Sequence, residues 1–296
     1  MVPMGCRPQR TIAETVEISG LGIVTGAQVT VRLHPGAGDT GILFRRSDRP
    51  DSPAIPAHVH YVSDTLRRTT LGTSPNSVTV VEHLLAALAG MRIDNCIIEL
   101  DGPEPPGLDG SALGFVTLLK EAGTVIQQSR RLCYGVEQSV VVKKAGATLA
   151  LHPATGPFLR VSYLLNYGEH AAIAPQSHSE TIIPESFGRE LAPCRTFILE
   201  NEAEELKQRG IGRHLSRGDI LVFGKSGLIG SRLRFANEPA RHKILDLVGD
   251  LSLCGFELAG HIVAYRSGHH LNVELACQLV TMMNSKPMND HARKSA

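Results

Sequence analysis

The run Arg241-His242-Lys243-Ile244-Leu245-Asp246 sets an imidazole and a carboxylate at positions i and i+4. On a helix these lie one turn apart on one face, where both can ligate a single divalent metal. Standing alone, the pattern describes an ordinary helix surface pair. A second pair, Glu82-His83, lies inside the apolar run VVEHLLAALAG, where a lone histidine reads as a satisfied core residue. Together the two patterns gain weight. If helices from the two halves of the chain face each other, His83, His242 and Asp246 form a two-histidine, one-carboxylate set with a position open for water, the ligand count of catalytic zinc. Glu82, beside His83, is then the base that takes a proton from the attacking water. No HExxH occurs, so the ligands come from separate helices.

A third piece is Ser267-Gly268-His269-His270, after the strand-like HIVAYR. A histidine in such a strand-to-helix loop is expected to be more exposed than one in a strand. It can protonate a leaving amine or, already protonated, stabilise developing negative charge; by itself it reads as a turn or capping residue. Asp250, one turn beyond Asp246, is either the carboxylate that orients an imidazole or a solvated helix acid. GLGIVTG contains GxG but precedes no helical pattern and no ribose-reading acid, which leaves dinucleotide binding weakly supported at best. The absence of GxSxG, a Walker lysine and the kinase motifs removes serine hydrolases and P-loop enzymes.

These residues need two helices and a framework to hold them. Val81, Leu84, Leu85 and Leu88 recur at helical spacing, with Gly90 as the stop. RHKILDLVGDLSLCG is amphipathic, with Ile244, Leu247, Val248 and Leu251 on one side. Period-two alternation marks strands, as at Val29, Val31 and Leu33 in AQVTVRLHP, and further strands are read in ILFRR, NCIIEL, YGVEQSVVVKK, ATLALHP, FLRVSYLL and HIVAYRSG. SALGFVTLLKEAG and LNVELACQLVTMM read as helices, and ENEAEELKQRG as a charged surface helix. PDSPAIPAH reads as an irregular, proline-punctuated loop. Helix, strand, Gly-containing loop and helix follow one another over residues 81–123 and again over 240–283. This predicts an α+β fold of two duplicated sheet-and-helix domains, 8–130 and 131–285, with the site at their interface and a boundary at the polar QQSRR, 127–131. The tail SKPMNDHARKSA is expected to fray.

Composition narrows the class. Among 296 residues, 42% are hydrophobic and 20% charged, the balance of a globular protein. A net charge of +1 gives no global electrostatic case for nucleic acid or an anionic membrane. The apolar runs fall short of the roughly 20 residues a membrane-spanning helix needs, and MVPMGCRPQR offers no secretory apolar stretch. Six cysteines, at 6, 96, 133, 194, 254 and 277, are scattered without a CxxC pair, which predicts a reduced, cytoplasmic protein. Thirteen histidines and no tryptophan direct attention to metal or proton chemistry.

TVVEHLLAALAGMRIDNCIIELDGPEPPGLDGSA, CRTF and RHKILDLVGDLSLCGFELAGHIVAYRSGHHLN together resemble the UDP-3-O-acyl-N-acetylglucosamine deacetylases, zinc amidohydrolases of lipid A synthesis in Gram-negative bacteria. The resemblance runs from about Arg10 to Val280. It implies a two-domain α+β fold with the active site between the domains and an acyl-chain passage shaped by an insert, here near 197–224. By motif position His83, His242 and Asp246 are similar to the metal ligands and Glu82 to the general base. His269 matches the residue that protonates the amine or supports the oxyanion, Asp250 its partner, and Thr196 the hydroxyl assisting the carbonyl oxygen. Phe197 would pack against substrate, and Lys243 and Arg266 match basic positions near a nucleotide diphosphate. The implied cofactor is Zn2+, with Fe2+ as the alternative such a donor set also accepts. The implied partner is a UDP-linked acylated amino sugar, and a monomer is expected. Two departures fall on substrate-contacting loops. The family's GLHTG-like loop is Gly22-Ile23-Val24-Thr25-Gly26 here, and its GGS-L-D-N-like segment is His214-Leu215-Ser216-Arg217-Gly218-Asp219. Two other readings remain: a deacetylase of another N-acetylated sugar, and a non-catalytic binding protein on the same fold.

Overall fold

A computed structural model describes residues 1–168, 171–215 and 219–285. The chain begins with β1 (Val2–Ile12), β2 (Val16–Leu21), β3 (Gln28–Pro35), β4 (Ile42–Arg46) and β5 (Ile55–Pro56). A three-stranded hairpin sheet of β6 (Val62–Asp64), β7 (Thr70–Thr73) and β8 (Asn76–Thr79) leads into α1 (Glu82–Gly90), β9 (Cys96–Leu100) and α2 (Leu113–Glu121). Strands β2-β3-β9-β4-β5 form one sheet in that order, with β9 parallel to β4 and every other pair antiparallel. The alternation in β3 does what its period demands: Val29, Val31 and Leu33 are buried and their neighbours point away.

After β10 (Thr124–Gly135), the plan recurs as β11 (Val140–Lys144), β12 (Ala147–His152), β13 (Leu159–Leu165) and β14 (Gln176–Thr181). Then come α3 (Pro184–Ser186), β15 (Phe197–Leu199), α4 (Glu200–Gln208), β16 (Leu221–Gly224) and β17 (Gly227–Leu228). The chain continues through α5 (Glu238–Ser252), β18 (Glu257–Leu258), β19 (Gly260–Tyr265) and α6 (His269–Ser285). The second sheet, β11-β12-β19-β13-β14, repeats the first strand for strand, again with one parallel pair, β19 with β13. The fold is α+β, duplicated in its sheets and in the helices that flank the inserted strand.

The central helices α1 and α5 pack against each other. A Cβ at Gly249 would fall 2.2 Å from the Glu82 carbonyl oxygen, so the backbones meet there and only glycine fits. Packed against α5 and α2, α1 is apolar nearly all round after its first two residues. On α5, Ile244, Leu247, Val248 and Leu251 are buried, and so are Leu245 and the polar His242, Asp246 and Asp250.

Several expectations need correction. The stretch 127–131, read as a polar boundary, lies inside the strand β10, which pairs with β1 on both sides of a bulge that leaves 127–129 without a β1 partner. Its half-buried and exposed residues alternate, the pattern of a strand with one wet face, which is why it reads as polar. PDSPAIPAH contains β5, whose Ile55 is buried against β4. The hairpin sheet β6–β8 and strand β14 escaped the sequence reading. The charged helix α4 buries none of its residues fully, as its composition requires. All six cysteines are free thiols. Among the described residues no helix is long and apolar enough to cross a membrane. Apart from Ser285, the tail expected to fray lies outside the described residues.

Candidate metal centre

His83, the second residue of α1, meets His242 and Asp246 of α5. Their ligating atoms lie within 4.8 Å of one another, and all three residues are buried. The His242 Nδ1–H donates to the Cys194 carbonyl at 2.9 Å, which leaves Nε2 as the lone-pair nitrogen. That Nε2 stands 3.2 Å from Asp246 Oδ1, and the His83 Nε2 is 3.6 Å from the same oxygen. Burial holds the His242 pKa down, against the pull of Asp246, favouring the neutral ring. Two buried acceptors therefore face each other, and neither His242 Nε2 nor Asp246 Oδ1 has a hydrogen-bond partner. Such an arrangement is costly unless a cation satisfies both lone pairs. The donor set, two imidazoles and a carboxylate, fits a borderline divalent ion. Among the described residues this is the one group of His, Cys, Asp and Glu side chains arranged to hold a metal.

Around it stand two further titratable groups, Glu82 and His269. Glu82 opens α1 at 3% exposure, and its Oε2 accepts the Thr69 backbone N–H at 3.1 Å. Burial raises its pKa, with the nearby His269 and His83 opposing. His269 is not the exposed loop residue expected: it is the first residue of α6 and 7% exposed. Its Nδ1–H donates to Asp250 Oδ2 at 2.9 Å. Burial would lower its pKa, but the Asp250 carboxylate, joined by Glu82 and Asp246, pushes it up to about 9. Asp250 also accepts from the Thr69 hydroxyl at 2.6 Å and from Asn272 Nδ2 at 2.8 Å. Thr69 thus touches both carboxylates through different atoms.

The CRTF motif has a position-by-position explanation. The Cys194 carbonyl orients His242; Arg195 forms a buried ion pair with Glu238, one turn before His242 on α5, at 2.9 Å; and Thr196 and Phe197 reach the cavity wall. That cavity, about 540 Å³, contains His83, His242, Asp246, Glu82 and His269. Its walls come from both inserts: the β6–β7 connection brings Arg67 and Arg68, while β15 and α4 bring Phe197, Ile198 and Leu206. Arg67 and Glu202 pair across it at 3.0 Å. The Phe197 ring centroid lies 6.2 Å from that of His242.

The two basic positions differ. Arg266 is exposed on the cavity wall, in a left-handed conformation (φ 56°). Lys243 is turned inward, its ammonium 2.5 Å from Asp246 Oδ2, and is not a free surface cation. His242 and Lys243 hold the Asp246 carboxyl well below the usual carboxylate range, although burial alone would raise it. The loop carrying Val24 wraps the buried Glu104 carboxylate, which accepts the Val24 and Thr25 N–H groups at 3.0 and 2.7 Å. His214 Nε2 donates to the Gly22 carbonyl at 2.6 Å, tying the insert to that loop. Residues 216–218 of the departing segment lie outside the described residues.

Sequence reasoning missed Thr69, Asn272, Glu104 and the Arg195–Glu238 pair. It also could not name the Cys194 carbonyl, because a backbone acceptor leaves no trace in residue type.

Residues 9–281 match the family model LpxC, UDP-3-O-acyl N-acetylglycosamine deacetylase. A protein of Nostoc sp. named UDP-3-O-acyl-N-acetylglucosamine deacetylase is 42% identical over 281 residues, covering 93% of this chain and 99% of its own length. Proteins of the same name from Chlamydia abortus (40% over 278 residues, 94% of this chain and 98% of theirs) and Myxococcus xanthus (39% over 274 residues, 92% and 86%) are similar as well. The chain belongs to the UDP-3-O-acyl N-acetylglycosamine deacetylase family.

Proposed function

From that membership we propose that the chain hydrolyses the N-acetyl group of UDP-3-O-acyl-N-acetylglucosamine, giving acetate and the free 2-amine for lipid A synthesis. The observation that carries the reading is the pair of orphaned acceptors, His242 Nε2 and Asp246 Oδ1, set beside His83. In this reading the three residues hold Zn2+, or Fe2+, since the donor set does not choose between them. A divalent ion held by these three residues would supply Lewis acidity toward the acetyl carbonyl and the attacking water.

The remaining chemistry belongs to the chain. Glu82 takes a proton from water as its oxygen bonds to the acetyl carbon; a raised pKa makes it a stronger base than a solvated glutamate. His269 is cationic at neutral pH and hands its Nε2 proton to the sugar nitrogen as the C–N bond breaks. Asp250 fixes the ring so that Nε2 faces the cavity. Thr196 steadies the carbonyl oxygen, and Phe197 packs on the substrate. Lys243 serves Asp246 first, which leaves Arg266 as the accessible one of the two positions for the diphosphate. The reading further takes 8–130 and 131–285 as the two domains, the insert 197–224 as one wall of the acyl passage, and the enzyme as a cytoplasmic monomer.

Acetate release from UDP-3-O-acyl-N-acetylglucosamine, compared with UDP-N-acetylglucosamine lacking the acyl chain, tests the reading. The acylated compound is expected to turn over much faster. Equal rates contradict the substrate, and no turnover by metal-replete protein favours a binding protein.

A further inference from the structure

A second cavity, about 280 Å³, lies behind the metal centre. No described residue lines both cavities. On α5 the second is lined by Val248, two positions from Asp246 and so half a turn around the helix; on α1 it is lined by Leu85 and Leu88. Leu251, Ile93 and Phe256 complete an apolar interior. A cavity roughly half that size already admits benzene when its walls are apolar.

One part of its wall is charged. Arg7 occupies both acids there, with Asp94 at 2.7 and 2.9 Å and Glu257 at 2.7 Å. Asp94 also accepts the Arg10 N–H. Two further guanidiniums remain. Arg92 stands 3.5 Å from Glu257 and Arg131 3.4 Å from Asp94, both beyond good hydrogen-bond length. Arg131 Nη1 donates to the Gly255 carbonyl, and its buried Nε is the atom that faces Asp94 Oδ1, too far for a good hydrogen bond. The lining therefore carries three arginines against two carboxylates, a surplus of one positive charge beside an apolar chamber. About a fifth of the Arg92 and Arg131 side chains is exposed, so an incoming head group can reach them.

We propose that this cavity is a ligand site, separate from the catalytic one, for an amphiphilic monoanion: a short aliphatic tail against α1 and α5, with a carboxylate or phosphate head on Arg92 and Arg131. Charge-assisted bonds from the Arg92 and Arg131 guanidiniums hold the head group, and the tail buries apolar wall.

Isothermal titration of the full-length, metal-loaded protein with octanoate, octyl phosphate and octanol tests this directly. One site per chain is expected for one or both anions, the preference between them identifying the head group, and octanol should bind at least about tenfold more weakly. Arg131→Gln should weaken anion binding by about tenfold or more. Ala89→Phe, which fills the chamber without changing charge, should abolish it, whereas Arg266→Gln on the catalytic wall should leave this event in place. Anion affinity unchanged in both Arg131→Gln and Ala89→Phe overturns the proposal, as does octanol binding equal to octanoate. Should either variant fail to fold, the other decides alone.

Discussion

In both halves of the chain an extra element enters at the same topological point, between the last strand laid on the sheet's edge and the central helix. After β5 it is the hairpin β6–β8; after β14 it is the longer segment with β15–β17 and α4. The two halves then diverge in what they offer. The first supplies the Glu82 carboxyl and one imidazole from the opening turn of α1, while the second supplies an imidazole and two carboxylates from α5 and the His269 imidazole from α6. Thr69, from the first insert, binds Glu82 of its own half through N–H and Asp250 of the other through its hydroxyl. A duplicated framework thus fixes where helices meet, and a few unmatched side chains decide what happens there.

The asymmetry can be broken from either side. The largest effect is expected from the first half's base: Glu82→Gln should cut kcat by about 10²–10⁴-fold with metal content unchanged, since a general base contributes that much. Steady-state acetate release with metal analysis on one preparation checks it. On the second half, Arg195→Met strands the fully buried Glu238 carboxylate at the start of α5. It should cost about 3–5 kcal/mol in denaturant unfolding. At the seam, Gly249→Ala drives a methyl into the Glu82 backbone and should cost about 1–3 kcal/mol by the same measurement. Because it displaces both halves' catalytic helices, activity should fall further than stability alone predicts.

The smallest effect is in pH dependence, and its sign follows from the shifts. Glu82 works ionised and its pKa is raised, so the rate falls with acid through a limb above the usual glutamate range. His269 works protonated, and the rate falls as pH rises through a limb near 9 that a bound dication draws lower. Burial lowers the His269 value and Asp250 chiefly raises it, so Asp250→Asn should move the alkaline limb to lower pH; the Asp250 charge is also a lesser cause of the raised Glu82 pKa, so the acid limb should follow in the same direction.

Much of this was legible because it rests on periodicity. The 3.6-residue spacing around His83 and His242 placed both on helices, and i,i+4 brought Asp246 into line with His242. The repeated order of helix, strand and helix announced the duplication. What escaped was set by tertiary contact. His269 looked like a loop residue because Gly268 precedes it, but the Asp250 carboxylate draws its ring inside. Thr69 sits in a short hairpin with no pattern of its own, and polar Gln127–Arg131 shows only its composition until the strand that contains it is laid beside β1. Lys243 is indistinguishable by type from a phosphate-binding lysine, and only its distance to Asp246 assigns it inward.

The account stands on one ion shared between the halves. Zn2+ titration of chelator-stripped protein, comparing the parent with His83→Ala and Asp246→Ala, measures this directly. One tight equivalent per chain is predicted, with affinity lost by orders of magnitude in each variant although one removes a ligand from α1 and the other from α5. Parent-like affinity in either variant would contradict a site built across the two helices.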